Sequence, residues 1–376
     1  MNLSDLADVE FVDADPDAVK AALIADYLEI TKRKSLGKGD PVRLFLLAVA
    51  ETIVRLRNKV NYTGKMNLLK YAKGDHLDHI GAFLDTARLE ADAAVTTMKV
   101  TLLSARERDI EIPEGTRISN GDKLYFALTE GGVVQAGQTE VLLPAVCLET
   151  GEAGNDYMAG EISTIVDPVP YVSGMENITR TEGGSEREKD DHYRERIHEA
   201  PEKFSTAGSS GAYRYWAMTA SALIVDVYPY GPKEFPGTVE LYVLMKNGGI
   251  PGEEMLQKVL NAVTADEKGV RPLTDHVKAL PPQVVGYDLQ VEYFIFEDAD
   301  VASTEKAAEN ALADYVLWQR EKLGRDINPD ELTRRLKAVS GVKRANILSP
   351  AFTKLSRSQV AVADSVSLAM MGSEEE

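Results

Sequence analysis

Cysteine is nearly absent: one residue, Cys147, in a chain of 376. No internal disulfide and no cysteine-rich zinc site can be built from it, and its apolar, strand-like surroundings (Val141-Leu142-Leu143-Pro144-Ala145-Val146-Cys147-Leu148) point to a buried, inert thiol. A basic excess is also lacking. Lys+Arg number 42 against 60 Asp+Glu, a formal net charge of −18, which argues against general binding to nucleic acid or anionic membrane. The longest apolar run, residues 44–50, is far short of the roughly 20 residues that span a bilayer, so no membrane insertion is expected. The start Met1-Asn2-Leu3-Ser4-Asp5-Leu6 has neither the basic nor the apolar region of a signal peptide. The chain is therefore expected to be made and kept in a reducing compartment, where the sequon Asn177-Ile178-Thr179 is silent.

Recognisable catalytic motifs are missing too. There is no GxGxxG or GxxxxGK[ST] loop, and Gly208-Ser209-Ser210-Gly211 lacks the spacing of a nucleophile elbow. The richest cluster is Gly74-Asp75-His76-Leu77-Asp78-His79, where His76 and His79 are three apart and share a face if helical, as zinc ligands do. No third His or Cys stands at a matching spacing, since His192, His198 and His276 are scattered, and Asp/His clusters at helix starts serve as caps. Hence no catalytic residue, metal or cofactor is expected.

What is present is a full complement of core-forming residues, 44% hydrophobic, at a length that makes two to four domains at roughly 100–200 residues each. Asp15-Pro16-Asp17 and Asp40-Pro41 are helix starts, an N-cap followed by proline at the first helical position. Behind the first, Val19, Leu23, Tyr27 and Ile30 repeat at helical spacing. Behind the second, Val42, Leu46, Val49, Ile53, Leu56 and Val60 follow a heptad, the pattern of a seam on a bundle core or on a partner helix. Residues 31–74 hold eleven basic and two acidic residues, Arg55, Arg57 and Lys59 among them. This +9 block leaves −27 for the rest, a polarity suited to docking on an acidic protein surface.

From about residue 95 the period shortens to that of strands, with glycine-marked turns up to about 180. Residues 181–191 read as an acidic linker into a helix from His192. Two small units of strands and helices follow. The expected architecture is α+β and multidomain: an N-terminal helical partner-binding region (1–92), a β-rich sandwich or barrel (93–182), and two small α+β domains with antiparallel sheets (183–282 and 283–376).

Several segments in order resemble one family. They are Leu68-Leu69-Lys70-Tyr71-Ala72-Lys73-Gly74-Asp75-His76-Leu77-Asp78-His79-Ile80-Gly81 with Thr86-Ala87-Arg88-Leu89, then Ile112-Pro113-Glu114-Gly115-Thr116 and Gly151-Glu152-Ala153-Gly154-Asn155. The best marked is Gly183-Gly184-Ser185-Glu186 with Asp190-Asp191-His192-Tyr193-Arg194-Glu195-Arg196-Ile197. Ser205-Thr206-Ala207-Gly208-Ser209-Ser210-Gly211-Ala212-Tyr213, Gly269-Val270-Arg271-Pro272-Leu273-Thr274-Asp275 and Leu323-Gly324-Arg325-Asp326-Ile327 continue the series. Together they are similar to the baseplate J family of contractile-tailed phages and phage-derived injection systems, including bacteriocins.

The resemblance implies a structural wedge subunit, not an enzyme. It is made in the bacterial cytoplasm and mature in the baseplate of a phage tail or tail-like particle. Implied partners are a second copy of the chain, a neighbouring wedge subunit of the tail protein I type, a sheath-initiator wedge protein and the central spike hub. C-terminal domains of adjacent copies meet to close a ring that reorganises to trigger sheath contraction. The heptad residues Val42, Leu46, Val49, Ile53, Leu56 and Val60 with Arg55, Arg57 and Lys59 are the expected partner interface. The alternative, a target-binding tail or fibre module, is opposed by the lack of fibre repeats and by only 7% aromatic residues.

Overall fold

The computed structural model describes residues 3–205, 208–264, 271–272 and 274–375. Thr206, Ala207, Gly269, Val270 and Leu273 of the segments quoted above lie outside them. The chain divides into two compact units, Met1–Arg88 with Tyr193–His198, and Leu89–His192 with Glu199–Glu376.

In the first unit, both proline-marked starts form as read. Helix α1 (Pro16–Thr31) is capped by Asp15, whose carboxylate accepts the Asp17 N–H at 3.0 Å, and α2 (Pro41–Lys65) by Asp40, which accepts the Val42 N–H at 2.9 Å. Of the α1 stripe only Val19 is buried, and Ile30 at its end is 80% exposed. Gly74, at φ 52, breaks the chain before α3 (Asp75–Phe83). The core is small: Ala72 and Leu77 pack on Tyr193 and Ile197 of α4 (Asp190–Glu199).

The second unit begins with eight strands: β1 (Ala93–Leu102), β2 (Ile110–Ile112), β3 (Arg117–Ser119), β4 (Tyr125–Leu128), β5 (Gly132–Val134), β6 (Glu140–Thr150), β7 (Thr164–Ile165) and β8 (Val172–Asn177). Six form one sheet, β7-β3-β4-β6-β1-β8, and β2 pairs with β5. Strand β1 buries every second residue, as a half-buried strand must. Sandwich or barrel was open in the sequence; the sheet curls into a nearly closed barrel. Asn177 closes it: its carbonyl accepts the Gly160 N–H (2.8 Å), its amide donates to the Ile162 carbonyl (3.2 Å), and its side-chain oxygen takes the Ile162 N–H (2.9 Å). Phe126, Met98, Ile118 and Met175 fill the interior, and Cys147 is among them, its thiol pKa pushed up by burial.

The acidic stretch 181–191 is no solvated linker. Thr181, Glu182, Ser185 and Glu188 are buried, and the segment runs beside β1 through paired backbone bonds between Asp92 and Ser185 and between Val95 and Glu182.

Beyond it lie α5 (Ser210–Met218), β9 (Ile224–Tyr230), β10 (Thr238–Met245), α6 (Glu253–Thr264) and β11 (His276–Leu280), then β12 (Gln283–Phe296), α7 (Val301–Arg320), α8 (Pro329–Lys337), β13 (Val342–Ser349) and β14 (Gln359–Glu374). The two three-stranded sheets are β11-β10-β9 and β13-β12-β14, each with its own helix-covered core. The expectation of antiparallel sheets needs correction, because both are mixed: β9/β10 and β12/β13 are antiparallel, whereas β10/β11 and β12/β14 are parallel. The connection through α6 carries the chain back to the start of the sheet, which makes the next strand parallel.

Candidate functional site

The cluster at the start of α3 is engaged otherwise than in metal binding. His76 and His79 are exposed on α3, with His76 edge-on to Tyr62 (ring centroids 6.5 Å apart), while Asp78 accepts from Arg88 Nε at 2.9 Å. Among the described residues no three His, Cys, Asp or Glu side chains are grouped to hold a metal ion, and no helix is long and apolar enough to cross a membrane.

The heptad residues all lie on α2, and the fold covers them only in part. Val42, Leu46, Val49 and Ile53 are half-buried, and Leu56 and Val60 are 56% and 50% exposed; the residues that α2 buries are Ala50 and Asn61. Leu44 and Phe45, more than half exposed, extend the apolar surface near its start. Leu56, Lys59 and Val60 line a groove of about 660 Å³ with Phe11, Thr63, Gly64 and Asn67. Arg55 is held by Glu51 one turn before it (2.5 Å), and Arg57 donates to the Asp13 carbonyl at 2.9 Å. So Lys59 alone of the three expected cations lines the groove.

Sequence reading missed the partner of Asn61. Its side-chain oxygen accepts the N–H groups of Phe11 (2.9 Å) and Val12 (3.0 Å), and its Nδ2 donates to the Val12 carbonyl (2.8 Å). An acidic arm thus lies along the C-terminal half of α2. Asp8 accepts from Lys70 Nζ (2.9 Å) and Tyr71 Oη (2.8 Å), and those hydrogen bonds, Lys70's first, hold its carboxyl below the usual carboxylate range. The Phe11 ring lies on Gly64, where an added Cβ would come within 2.5 Å of it. No propensity contrast marked Asn61, because its neighbours Asn58, Val60, Tyr62, Thr63 and Gly64 are poor helix formers as well.

The Tyr193-Arg194-Glu195-Arg196-Ile197 stretch is a clasp on the helical unit. Tyr193 Oη donates to the Thr86 carbonyl, Arg194 donates to the carbonyls of Leu69 (2.9 Å) and Ala72 (2.8 Å), and Arg196 donates to that of Ala87 (3.2 Å). Ile197 completes the small core. Tyr193, Arg194, Arg196 and Ile197 of the motif that resembles the family therefore each have a packing task.

Comparison with protein families decides between the readings. Four domain models match in chain order: the Baseplate J-like N-terminal domain over residues 39–94, the Baseplate J-like protein barrel domain over 97–184, the Baseplate J-like central domain over 205–281 and the Baseplate J-like protein C-terminal domain over 287–369. The chain belongs to the Baseplate J-like family. Its members are structural, not catalytic. This Baseplate J-like chain is 32% identical over 164 residues to "Baseplate protein J" of Escherichia phage P2, covering 43% of this chain and 52% of that protein. It is 26% identical over 196 residues to the uncharacterized protein YqbT of Bacillus subtilis (strain 168), covering 51% and 50%. The chain thus spans about half the length of the curated relatives it matches. Among solved structures, a chain of the six-fold symmetrised cryo-EM baseplate of the anti-feeding prophage is similar at 14% identity and TM-score 0.38, with 93% of this chain and 90% of that one covered.

Proposed function

We propose that this chain is a wedge subunit of the baseplate of a contractile tail or tail-like injection particle, bacteriocins included, and that it acts as a hetero-oligomer. Residues 1–92 dock on a neighbouring wedge protein of the tail protein I type, two copies of this chain to one of that protein. The barrel (93–182) and the α+β domains (183–282 and 283–376) meet further subunits: the sheath initiator, the spike hub and a second copy. Reorganisation of the ring relays the signal for sheath contraction.

The observation that carries the reading is the partly covered seam. A helix of 25 residues keeps six apolar heptad positions half-buried or exposed, and an exposed stripe of that kind is stable in water only with a modest loss that a partner helix recovers. Two of its residues line a groove with Phe11 and Lys59. Co-expression with the neighbouring wedge protein tests the proposal: a stable 2:1 complex is expected. The triple substitution Leu46→Asp, Ile53→Asp, Leu56→Asp should abolish that complex and leave residues 93–376 folded. A wild-type chain that stays monomeric beside every protein of its baseplate, or a triple variant that assembles normally, defeats it.

A further inference from the structure

Tyr171 occupies a turn position that glycine usually fills. In Val169-Pro170-Tyr171-Val172 the Val172 N–H closes on the Val169 carbonyl (3.2 Å), proline takes the second position, and Tyr171 the third, at φ 69. A bulky residue there is held against a steric cost.

That side chain carries two arginines. The Arg106 guanidinium lies 4.4 Å from the Tyr171 ring centroid and that of Arg108 6.0 Å, with Arg108 also donating to Tyr171 Oη at 3.3 Å. Neither has a carboxylate partner among the described residues, and Arg106 Nε has no hydrogen-bond partner at all. In the same barrel Arg117 shows what a satisfied arginine looks like, gripped by both oxygens of Asp167 at 2.9 Å. Beside the pair, Leu103 donates its N–H to the Tyr171 carbonyl (3.0 Å) and leaves its own side chain 76% exposed.

We infer that Arg106, Arg108, Tyr171 and Leu103 form an anchor site on the barrel for a carboxylate-bearing segment of a partner protein. Stacking on the ring fixes guanidinium groups without neutralising them, which leaves their forked donors for a planar carboxylate. Leu103 adds apolar contact for a neighbouring side chain of the same segment, so the site has the tyrosine, arginine and aliphatic content of an interface hot spot. The exposed Leu103 beside the guanidinium pair offers apolar contact that a peptide side chain can use and a bare phosphate cannot, which points to a protein as the source of the anion. The site uses residues of the barrel and none of α2, and it rests on the wedge reading only in needing a protein partner.

The test is titration of the full chain, at low salt, with an acetylated and amidated Leu-Glu-Glu-Leu-Glu peptide followed by calorimetry. Saturable binding is expected, weakened about tenfold or more in an Arg106→Gln/Arg108→Gln variant. Tyr171→Gly should also weaken it while the melting temperature stays level or rises, because glycine relieves the backbone. Equal inorganic phosphate should leave the peptide bound. Four results overturn the inference: no binding to the wild type, undiminished binding to the double variant, a lowered melting temperature for Tyr171→Gly, or displacement by phosphate. Co-expression with the neighbouring wedge protein is read separately, so either proposal can fail while the other stands.

Discussion

Tyr193 donates its phenolic hydroxyl to the backbone carbonyl of Thr86 at 2.6 Å, across 107 residues of sequence. The same hydroxyl sits where a side chain on Gly81 would go: a Cβ there would lie 1.9 Å from Tyr193 Oη and 2.6 Å from the Thr86 carbonyl oxygen. Tyr193→Phe should cost about 1–3 kcal/mol by removing a buried hydrogen bond. Gly81→Ala should cost more, because a backbone atom cannot swing aside. Equilibrium denaturation of the two variants gives the order; a milder Gly81→Ala contradicts this account of the packing.

Glu182 binds the start of α6 from outside the helix. Its carboxylate accepts the N–H groups of Gly252 (2.9 Å) and Met255 (2.8 Å), where a negative charge is favoured by the helix dipole. Replacing it with glutamine keeps one acceptor oxygen and loses the charge, and a cost of about 1.5–3 kcal/mol is expected for a buried charge-assisted pair. Hydrogen exchange at residues 253–256 should accelerate in Glu182→Gln, while exchange in α8 should not change.

Glu331 sets an acid limit for the C-terminal domain. The hydrogen bond from Arg334, with that from Arg335, lowers its pKa from 4.5 to about 2. Below the ordinary value the unfolded chain takes up the proton first, so the stabilisation is complete above about 4.5 and is lost as pH falls towards about 2. Glu331→Gln should flatten the stability profile in that window and leave it unaltered near neutrality in shape. Acid titrations of both proteins, followed by far-UV circular dichroism, read the difference.

Asn61→Ala should free the arm that ends at Asp13. Three hydrogen bonds to Phe11 and Val12 go, but these groups are near the surface and water replaces them, so the cost should be about 1–2 kcal/mol. Limited proteolysis should then cut between residues 6 and 13 well before any cut in α2. Unchanged protection of the arm counts against Asn61 as its anchor.

Docking through the basic block should weaken as salt rises, since exposed charges are screened within about 8 Å at physiological ionic strength. Salt-independent association with wedge partners makes the +9 of residues 31–74 incidental. Part of that charge is already answered within the chain, by Asp8 on Lys70 and Glu10 near Lys65.

Local signals were legible and long-range ones were not. Asp15-Pro16 and Asp40-Pro41 announce α1 and α2 because cap and proline act within one turn. Alternation in β1 is equally local. Residues 181–191 misled because acidic composition normally means solvation. Here Glu182 is satisfied by α6 and Glu188 by the Leu89 N–H (2.9 Å), partners that no spacing rule reveals, although the His192 ring on Glu188 (2.5 Å) stands at i,i+4. The direction of β11 and β14 depends on how connections cross the sheets; in β14 itself the alternation of Val360, Val362, Val366, Leu368 and Met370 with small residues was a strand signal available in the sequence. The seam of α2 was legible as a pattern, but a heptad looks the same whether its other half is in the chain or not.

Because the small core of the helical unit is finished by Tyr193 and Ile197, Leu77 has only Leu69, Ile80 and Leu84 for cover until the ribosome has made the whole barrel and the stretch after it. Helix α3 is therefore made early and locked late. During synthesis Ala72 and Leu77 stand open to chaperones, and a fragment truncated before α4 should be a poor soluble reagent, however complete its helices look on paper.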